Sequence, residues 1–358
     1  MRRLLKGNDA VVHGALAAGC RAFFAYPITP ANEISEAAAW MFPDAGCVFV
    51  PAESEISAVE MIYGAASTGT RSMTASSGPG MSLMQEGISY MAGACLPGVI
   101  VDIQRAGPGL GNLGVEQGDY HQAVKAGGHG CYKTPVFAPG NVQEMMDLTF
   151  HAFDVADRYR TPVIVLADGA LGQMMESVEI RNAKPNESDK SSWAVMGTAE
   201  TRKNLITSIL LEHDKQERHI TELEKKYTEI GENEVILDEY LTADAEILIV
   251  SYGISSRISR AAVDLARAAG VRVGLMRPVS LFPFPSKRMR QIAGKVYGIL
   301  VVELSSGQLV EDVRLHTGGI TPVQLLRRTG GMMPSAEDVV SSIMEIGKEH
   351  LGNRVCGK

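Results

Sequence analysis

The sequence predicts an α/β protein with two parallel sheets, and two observations support this fold class. Short continuous apolar runs alternate with helix-length segments along most of the 358 residues, a pattern typical of βαβ units whose sheet is covered on both faces. The alternation occurs over residues 1–185 and again over residues 234–358, and a polar, charged stretch at residues 186–233 separates the two parts. We therefore expect a larger first domain, a linker with a charged helix, and a smaller second domain.

The elements of the first domain follow from the lengths of its apolar runs. Residues 5–19 predict a helix that ends at Gly19. Apolar runs predict buried strands at residues 22–25, 47–50, 98–103, 135–138 and 162–167, and a further strand is predicted at residues 72–76. The intervening segments predict helices at residues 31–39, 56–66, 81–94 and 142–158, with residues 77–80 as a turn.

The linker and second domain are predicted in the same way. Residues 200–229 are charged and carry an apolar stripe at helical spacing, which predicts one long helix. A bridging helix and a solvated amphipathic helix on the first domain remain equally open. Strands are predicted at residues 246–250, 271–276, 298–302 and 323–326. Helices are predicted at residues 255–269, 286–294, 308–316 and 335–346.

Composition narrows the class of function. The net charge of −7 favours neither nucleic acid nor an anionic membrane surface as a partner. The five cysteines (Cys20, Cys47, Cys95, Cys131 and Cys356) form no CxxC pair, so we expect no metal and no iron–sulfur cluster in this chain. We recognise no signal peptide and no membrane-length apolar run, and we therefore expect a cytoplasmic protein with reduced thiols.

A stiff turn, Tyr26-Pro27-Ile28-Thr29-Pro30, follows the first predicted strand of this sheet. Thr29 could cap the following helix, and Pro30 suits a first helical turn. Open α/β sheets bind ligands at the carboxyl ends of their strands. A rigid connection without chemistry explains this stretch equally well.

Other polar residues occupy equivalent positions after predicted strands. Glu55 begins a helix, where a carboxylate either caps the helix or contacts a ligand ring nitrogen; Glu53 competes for either role. Arg105 is placed to bind a carboxylate in bidentate fashion, and an ion pair with Asp102 or Asp119 is the structural alternative. Ser76 and Ser77 could line the same crevice.

The remaining motifs carry little functional signal. Residues 109–114 match GxGxxG, but residues 115–120 make a poor first helical turn and no acidic strand end follows at the expected distance. We interpret this stretch as a mobile active-site loop rather than an NAD site. His13, His121 and His129 lack metal-ligand spacing, and GxSxG, HExxH and P-loop motifs are absent from the sequence.

Taken in order, several motifs resemble the alpha subunit of the 2-oxoacid:ferredoxin oxidoreductases. They include Tyr26-Pro27-Ile28-Thr29-Pro30, Ser54-Glu55, Gln104-Arg105-Ala106-Gly107-Pro108-Gly109, Arg277-Pro278-Val279-Ser280-Leu281-Phe282-Pro283 and Gly307-Gln308-Leu309-Val310-Glu311-Asp312-Val313. The resemblance implies a pyrimidine-binding thiamine diphosphate domain followed by a transketolase carboxyl-terminal-like domain. It also implies a beta subunit that carries the diphosphate half-site with Mg²⁺, gamma and ferredoxin-like delta subunits with iron–sulfur clusters, ferredoxin as acceptor, and coenzyme A as co-substrate.

The resemblance also implies roles for individual residues. Glu55 matches the glutamate that faces N1′ of the aminopyrimidine, and Tyr26, Pro27, Ser76 and Ser77 lie in the matching cofactor-binding region. Thr29 matches the substrate-contacting threonine, and Arg105 matches the arginine for the substrate carboxylate. A scaffold subunit with decayed contacts is an alternative, but the intact residues argue against it.

The substrate is predicted from the loop after Arg105. Residues 107–112 resemble the branched-chain 2-oxoisovalerate enzymes more than the 2-oxoglutarate enzymes. A dicarboxylate would need a second cation, because an unpaired buried carboxylate is costly; Lys125 and Lys133 are the nearest candidates. The segment Gln117-Gly118-Asp119 differs from the Gln-Ala-Asp expected in relatives.

Overall fold

The computed structural model describes residues 2–180, 185 and 188–356, and this part of the chain contains three β-sheets with flanking helices. The strands are β1 (Arg2–Lys6), β2 (Ala22–Ala25), β3 (Val48–Pro51), β4 (Ser72–Ser76), β5 (Gly98–Gln104), β6 (Val136–Phe137), β7 (Pro162–Asp168), β8 (Met175–Glu179), β9 (Leu237–Tyr240), β10 (Ile247–Val250), β11 (Val273–Pro278), β12 (Ser280–Phe282), β13 (Gly298–Glu303) and β14 (Val323–Arg327). The helices are α1 (Gly7–Ala17), α2 (Asn32–Asp44), α3 (Glu55–Ser67), α4 (Gly78–Gly93), α5 (Tyr120–Val124), α6 (Val142–Tyr159), α7 (Gly169–Gln173), α8 (His213–Asn233), α9 (Gly253–Ala268), α10 (Ser286–Ala293), α11 (Leu309–Thr317) and α12 (Ala336–Cys356).

The largest sheet has seven strands in the order β12-β6-β7-β5-β4-β2-β3. Its strands pair in parallel except for β12, which pairs antiparallel with β6 at one edge. The central strands β5 and β7 are buried along their whole length, as expected of a parallel sheet with both faces covered. The predicted α/β class is therefore confirmed for this part of the chain.

The second large sheet has five strands in the order β14-β13-β10-β11-β9. All of its pairs are parallel except that between β11 and β9. β12 follows β11 in sequence but belongs to the first sheet, where Phe282 pairs with Val136. The chain therefore returns to the first sheet after β11, and the predicted domain boundaries at residues 185 and 234 stay predictions.

Three predictions near the first sheet are corrected. The helix predicted from residue 5 begins at Gly7, because residues 2–6 form β1, which pairs antiparallel with β8. The turn predicted at residues 77–80 is largely helical: α4 begins at Gly78, since proline is tolerated in a first helical turn. The strand predicted as buried at residues 47–50 is an edge strand with both ends exposed.

The prediction of one long charged helix over residues 200–229 is only partly correct. α8 starts at His213, and residues 202–212 are not helical. Apolar side chains at Leu205, Ile209 and Leu211 are exposed there, so their helix-like spacing does not reflect a buried stripe. α8 itself contacts the first domain, with His219 Nε2 2.8 Å from the carbonyl oxygen of Gly93. The first two residues of the predicted linker, 186 and 187, lie outside the described residues.

Candidate active site

The carboxyl ends of β2 and β4 lie where the strand order of the first sheet reverses. β3 lies on one side of β2, whereas β4, β5 and β7 follow on the other side. The ladder between β2 and β4 covers only Ala22 with Ser72 and Phe23 with Met73, so the two strands are not paired beyond these residues. Such a reversal is the position at which open α/β sheets bind ligands.

Glu55 is the first residue of α3 and is buried, with 6% of its surface exposed. Capping is performed by the preceding residue, because the Ser54 hydroxyl accepts a hydrogen bond from the backbone N–H of Ser57 at 3.3 Å. Glu53 is exposed, so the burial favours Glu55 over Glu53 as the ligand-facing carboxylate. Within the described residues, we find no donor to the Glu55 carboxylate.

Gly80, in the first turn of α4, brings the backbone directly against this carboxylate. A Cβ at Gly80 would lie 2.5 Å from Glu55 Oε1 and 2.0 Å from Ser76 Oγ. Real Cβ atoms essentially never approach other heavy atoms so closely. The start of α4 therefore tolerates only glycine at this position without displacement of Glu55 or Ser76.

Ser76 and Ser77 end β4 and are fully buried. Neither hydroxyl oxygen has a hydrogen-bond partner in the described part of the chain, although buried polar groups almost always have one. Ser76, Ser77 and Glu55 form a cradle in which the two serine hydroxyls are buried without a partner. A small planar ring with a ring nitrogen and an amino group would satisfy them, so these residues fit the aminopyrimidine of thiamine diphosphate.

Arg105 follows β5 and reaches across the end of β4 to the turn after β2. Its Nη1 donates to the carbonyl oxygen of Thr29 at 2.9 Å, and its Nη2 lies 3.4 Å from the carbonyl oxygen of Leu110. Its Nε is buried without a partner. No carboxylate forms an ion pair with Arg105 among the described residues, so the alternative of a structural ion pair with Asp102 or Asp119 is not observed.

Thr29 does not cap α2, which corrects the sequence-based expectation. The helix starts at Asn32, and no side chain caps it. Instead the Thr29 hydroxyl accepts a hydrogen bond from Asn32 Nδ2 at 3.1 Å. Because the hydroxyl acts as acceptor in that contact, its own proton remains free to be donated to a ligand.

A pair of buried carboxyl groups lies beside Arg105, and the sequence did not identify it as functional. Burial and the proximity of Asp119 raise the pKa of Asp102 well above its ordinary value. Burial raises the pKa of Asp119 to about 6, and Glu116 adds to this shift, whereas Arg105 and the N–H of Gly78 oppose it. Neither oxygen of Asp102 has a hydrogen-bond partner within the described residues. An aspartate at the end of an otherwise apolar strand was the available sequence signal.

Two polar side chains of the glycine-rich loop bind backbone groups of the loop itself and of Gly330. Glu116 accepts hydrogen bonds from the backbone N–H groups of Gly107 at 2.7 Å and Gly330 at 3.1 Å. The Asn112 amide donates to the Gly330 carbonyl at 3.2 Å. No long helix follows the GxGxxG pattern, since α5 spans only Tyr120–Val124, so the structure agrees with our rejection of a dinucleotide fingerprint. The mobility of the loop stays a prediction.

Gln117, at the end of this loop, joins the loop to the second sheet. Its Nε2 donates to the carbonyl oxygen of Tyr252 at 2.9 Å. Its Oε1 accepts from the Ser255 hydroxyl at 2.8 Å and from the backbone N–H of Leu304 at 3.0 Å. Gln117 is fully buried, so these contacts hold the loop to the second half of the chain.

Tyr26 and Pro27 follow β2 directly, whereas Lys125 and Lys133 lie elsewhere. Tyr26 and Pro27 are exposed, and their contact with a cofactor stays a prediction. Lys125 forms an ion pair with Asp312, and Lys133 Nζ lies 5.4 Å from the centre of the Phe282 ring. Both lysines line a different cleft of about 880 Å³.

The three histidines show no common site. His121 Nε2 lies 3.1 Å from Glu311, and the His129 ring packs edge-on against Tyr90. Residues 2–180, 185 and 188–348, whose side chains the structure describes, contain no group of three or more His, Cys, Asp or Glu side chains that could hold a metal ion. None of the helices described is long and apolar enough to cross a membrane.

Comparison with known proteins decides the family. A family model described as pyruvate flavodoxin/ferredoxin oxidoreductase, thiamine diphosphate-binding, matches residues 13–235, and a model of pyruvate:ferredoxin oxidoreductase core domain II matches residues 245–339. The ketoisovalerate oxidoreductase subunit VorB of Methanothermobacter thermautotrophicus is 54% identical over 344 residues, which cover 96% of this chain and 97% of that protein. The chain belongs to the 2-oxoacid:ferredoxin oxidoreductase family. The resemblance drawn from the sequence motifs is thereby confirmed.

Two further relatives of this 2-oxoacid:ferredoxin oxidoreductase subunit are informative. The 2-oxoglutarate synthase subunit KorA of Methanothermobacter marburgensis is 36% identical over 369 residues, which cover 95% of this chain and 98% of that protein. The solved 2-oxoglutarate:ferredoxin oxidoreductase from Magnetococcus marinus, with 2-oxoglutarate, coenzyme A and succinyl-CoA bound, superposes with a TM-score of 0.86 at 26% identity. That alignment covers 96% of this chain but only 65% of the solved chain.

Proposed function

We propose that this chain is the catalytic alpha subunit of a branched-chain 2-oxoacid:ferredoxin oxidoreductase with 2-oxoisovalerate as its substrate. The proposed reaction is oxidative decarboxylation of the 2-oxo acid to an acyl-CoA and CO₂, with electrons passed to ferredoxin. One observation carries the proposal: Arg105 and Thr29 lie at the same sheet edge as Glu55 and the unpartnered hydroxyls of Ser76 and Ser77.

Thiamine diphosphate supplies a carbon nucleophile and an electron sink for decarboxylation of a 2-oxo acid. Glu55 would hold or release a proton at N1′ of the aminopyrimidine when the cofactor is bound. Burial of Glu55 and the closeness of Gly80 limit the exposure of that residue to solvent. Ser76 and Ser77 orient the ring through their unpartnered hydroxyls.

Arg105 and Thr29 act on the substrate. The guanidinium binds the substrate carboxylate through donors that remain beyond its contact with the Thr29 carbonyl. The Thr29 hydroxyl, already fixed as an acceptor by Asn32, donates its proton to the substrate. Because the hydroxyl and the guanidinium are held by hydrogen bonds before substrate arrives, little ordering is needed on binding.

Two observations favour a branched-chain substrate over 2-oxoglutarate. Identity is 54% to the ketoisovalerate subunit VorB and 36% to the 2-oxoglutarate subunit KorA. Lys125 and Lys133, the candidate cations for a second carboxylate, are engaged by Asp312 and Phe282 at a different cleft. A dicarboxylate would therefore lose the hydration of its distal group without a partner from either lysine.

The partners are proposed on the same basis. The relatives are named as subunits, and the described residues offer no cluster for a metal, so the diphosphate half-site and Mg²⁺ are assigned to a beta subunit. Iron–sulfur clusters are assigned to a ferredoxin-like delta subunit. The alignment covers 96% of this chain but only 65% of the solved chain, so the solved chain contains an additional segment. We assign the role of that segment here to a separate gamma subunit.

The test is a substrate comparison with the assembled enzyme, because half of the cofactor site is assigned to another subunit. The chain is co-expressed with its candidate partners, and dye-linked oxidation of 2-oxoisovalerate, pyruvate and 2-oxoglutarate is measured with coenzyme A. We expect kcat/KM for 2-oxoisovalerate to exceed that for 2-oxoglutarate by about 10-fold or more, or about 1.4 kcal/mol. Faster turnover of 2-oxoglutarate would show that the substrate is misassigned.

A further inference from the structure

A cysteine and a lysine form a close pair where α4, α6 and α8 meet, away from the proposed catalytic residues. Cys95 lies in the turn between α4 and β5, and Lys226 lies on α8. Lys226 Nζ is 3.3 Å from Cys95 Sγ. Among the cysteines whose side chains the structure describes, only Cys95 has a lysine within hydrogen-bond distance.

The backbone around the pair holds both groups in place. Lys226 Nζ also donates to the carbonyl oxygen of Arg160 at 3.1 Å, and Arg160 Nε donates to the carbonyl oxygen of Cys95 at 3.1 Å. Cys95 and Arg160 both have positive φ angles, of 52° and 47°, which residues other than glycine rarely adopt. The three residues thus support each other's conformation, and the nitrogen stays next to the sulfur.

The chemistry of the two groups is complementary. Cys95 is half-buried, so a small oxidant can reach its sulfur. Peroxides convert accessible cysteines to sulfenic acids. Burial lowers the pKa of Lys226, which increases the fraction of neutral amine, the nucleophilic form of lysine.

We propose that Cys95 and Lys226 form an oxidation-sensitive modification site at which a peroxide joins the two side chains through a covalent sulfur–nitrogen bond. In the first step the sulfur attacks one peroxide oxygen, the O–O bond breaks, and water and a sulfenic acid result. In the second step the Lys226 nitrogen attacks the sulfur, the S–O bond breaks, and hydroxide leaves as water with a proton from the amine. The balance is Cys–SH + Lys–NH₂ + H₂O₂ → Cys–S–NH–Lys + 2 H₂O, in which sulfur is oxidised and the peroxide is reduced.

The link changes how α8 is attached. α8 packs through the buried residues Leu223, Tyr227 and Ile230, and it forms one wall of the 880 Å³ cleft. A covalent bond from Lys226 to the turn after α4 fixes this helix to the first sheet. The bond also protects Cys95 from irreversible oxidation, since thiols reduce it back to the free pair.

The experiment uses the assembled enzyme with hydrogen peroxide as the oxidant. The protein is digested without reductant, and the peptides are measured by mass spectrometry. We expect the Cys95 and Lys226 peptides to appear joined, lighter than their sum by two hydrogen atoms, and to separate when a thiol is added. Cys131→Ser, which removes an exposed cysteine, is the matched control and leaves the joined peptides unchanged.

Lys226→Arg separates the proposal from simple cysteine oxidation, because it keeps a cation beside the sulfur but cannot form this bond. In that variant dimedone, which traps sulfenic acids, should label Cys95, whereas labelling of Cys95 is lost in the wild type. If the variant does not fold, the same comparison is made within the wild type, where Cys131 is labelled and Cys95 is protected. Equal labelling of Cys95 in wild type and variant, or of Cys95 and Cys131 in the wild type, with no joined peptide, would overturn the proposal.

Discussion

The carboxylate of Glu55 lies directly against the backbone of Gly80, so that a Cβ on the glycine would come within 2.5 Å of Oε1. The first turn of α4 thus forms a wall of the cradle around a buried carboxylate at the start of α3. This contact contributes to the burial of Glu55, although the residue begins a helix. It also makes the roles of the acid and of the glycine separately testable.

Glu55→Gln should reduce kcat of the assembled enzyme by about 100-fold or more, the usual scale for loss of a proton-transferring group. The amide keeps the shape of the side chain but cannot exchange a proton with N1′. Turnover is measured by dye reduction and assembly by gel filtration. Glu53→Gln is the control, since Glu53 is exposed two residues away, and it should retain activity. Near-normal turnover in Glu55→Gln would contradict the assignment.

Gly80→Ala should weaken cofactor binding more than it weakens the fold. The added Cβ would lie 2.0 Å from Ser76 Oγ and 2.5 Å from Glu55 Oε1, so one of these groups must move. We expect the thiamine diphosphate concentration for half-maximal activity to rise by about 10-fold or more, or about 1.4 kcal/mol. Gly64→Ala is the control, because nothing lies within 4 Å of a Cβ at that position on α3. Equal cofactor requirements in the two variants would exclude a cradle role for Gly80.

Much of this site could be predicted from the sequence because its residues follow strands. Ser76 ends β4, Arg105 follows β5 and Thr29 lies in the turn after β2. Parallel strands bring such residues to one sheet edge. The contact between Glu55 and Gly80 could not be predicted, because it depends on how closely α3 and α4 pack. The order of the motifs along the chain predicted the cofactor and the roles of the individual residues. The pattern of strands alone did not predict either.

Other features were missed because they depend on distant contacts. Gln117 attracted notice only as an unusual motif, yet its partners Tyr252 and Leu304 are far along the chain. The helix expected over residues 200–212 is absent from the structure, because helical spacing of apolar residues does not show that a surface is available to bury them. Leu205 and Leu211 are 80% and 87% exposed.

Arg105→Ala should mainly raise KM for the 2-oxo acid. Hydrogen bonds to a charged group contribute about 1.5–3 kcal/mol, so kcat/KM should fall by about 10- to 100-fold. Arg105→Lys keeps the charge but loses the fork geometry, and it should recover part of the loss. Arg202→Ala, at an exposed position, is the control. A change confined to thiamine diphosphate affinity would mean that Arg105 contacts the cofactor rather than the substrate.

Asp119→Asn should reduce the change in the free energy of unfolding with pH between about 4 and 6. The pKa of Asp119 is raised to about 6 in the folded protein, above an unfolded value of about 3.9. The folded state therefore binds more protons between these values, and stability falls as pH rises from about 4 to 6. Burial also raises the pKa of Asp168 to about 6, so the variant should reduce the slope and not abolish it. Thermal midpoints across this range provide the measurement, and an unchanged slope would contradict the prediction.

Gln117→Leu should destabilise the join between the glycine-rich loop and the second sheet. The substitution leaves the Ser255 hydroxyl, the Leu304 N–H and the Tyr252 carbonyl without their partner. Each unsatisfied buried group costs about 1–3 kcal/mol, so the loss should be about 3 kcal/mol or more and should lower the thermal midpoint. Gln216→Leu makes the same change at an exposed position of α8 and should have little effect.

Activity should fall with stability in Gln117→Leu, because the loop that Gln117 anchors begins next to Arg105. A variant as stable as Gln216→Leu would show that the loop is held by other contacts, of which those of Glu116 with Gly107 and Gly330 are the next to test.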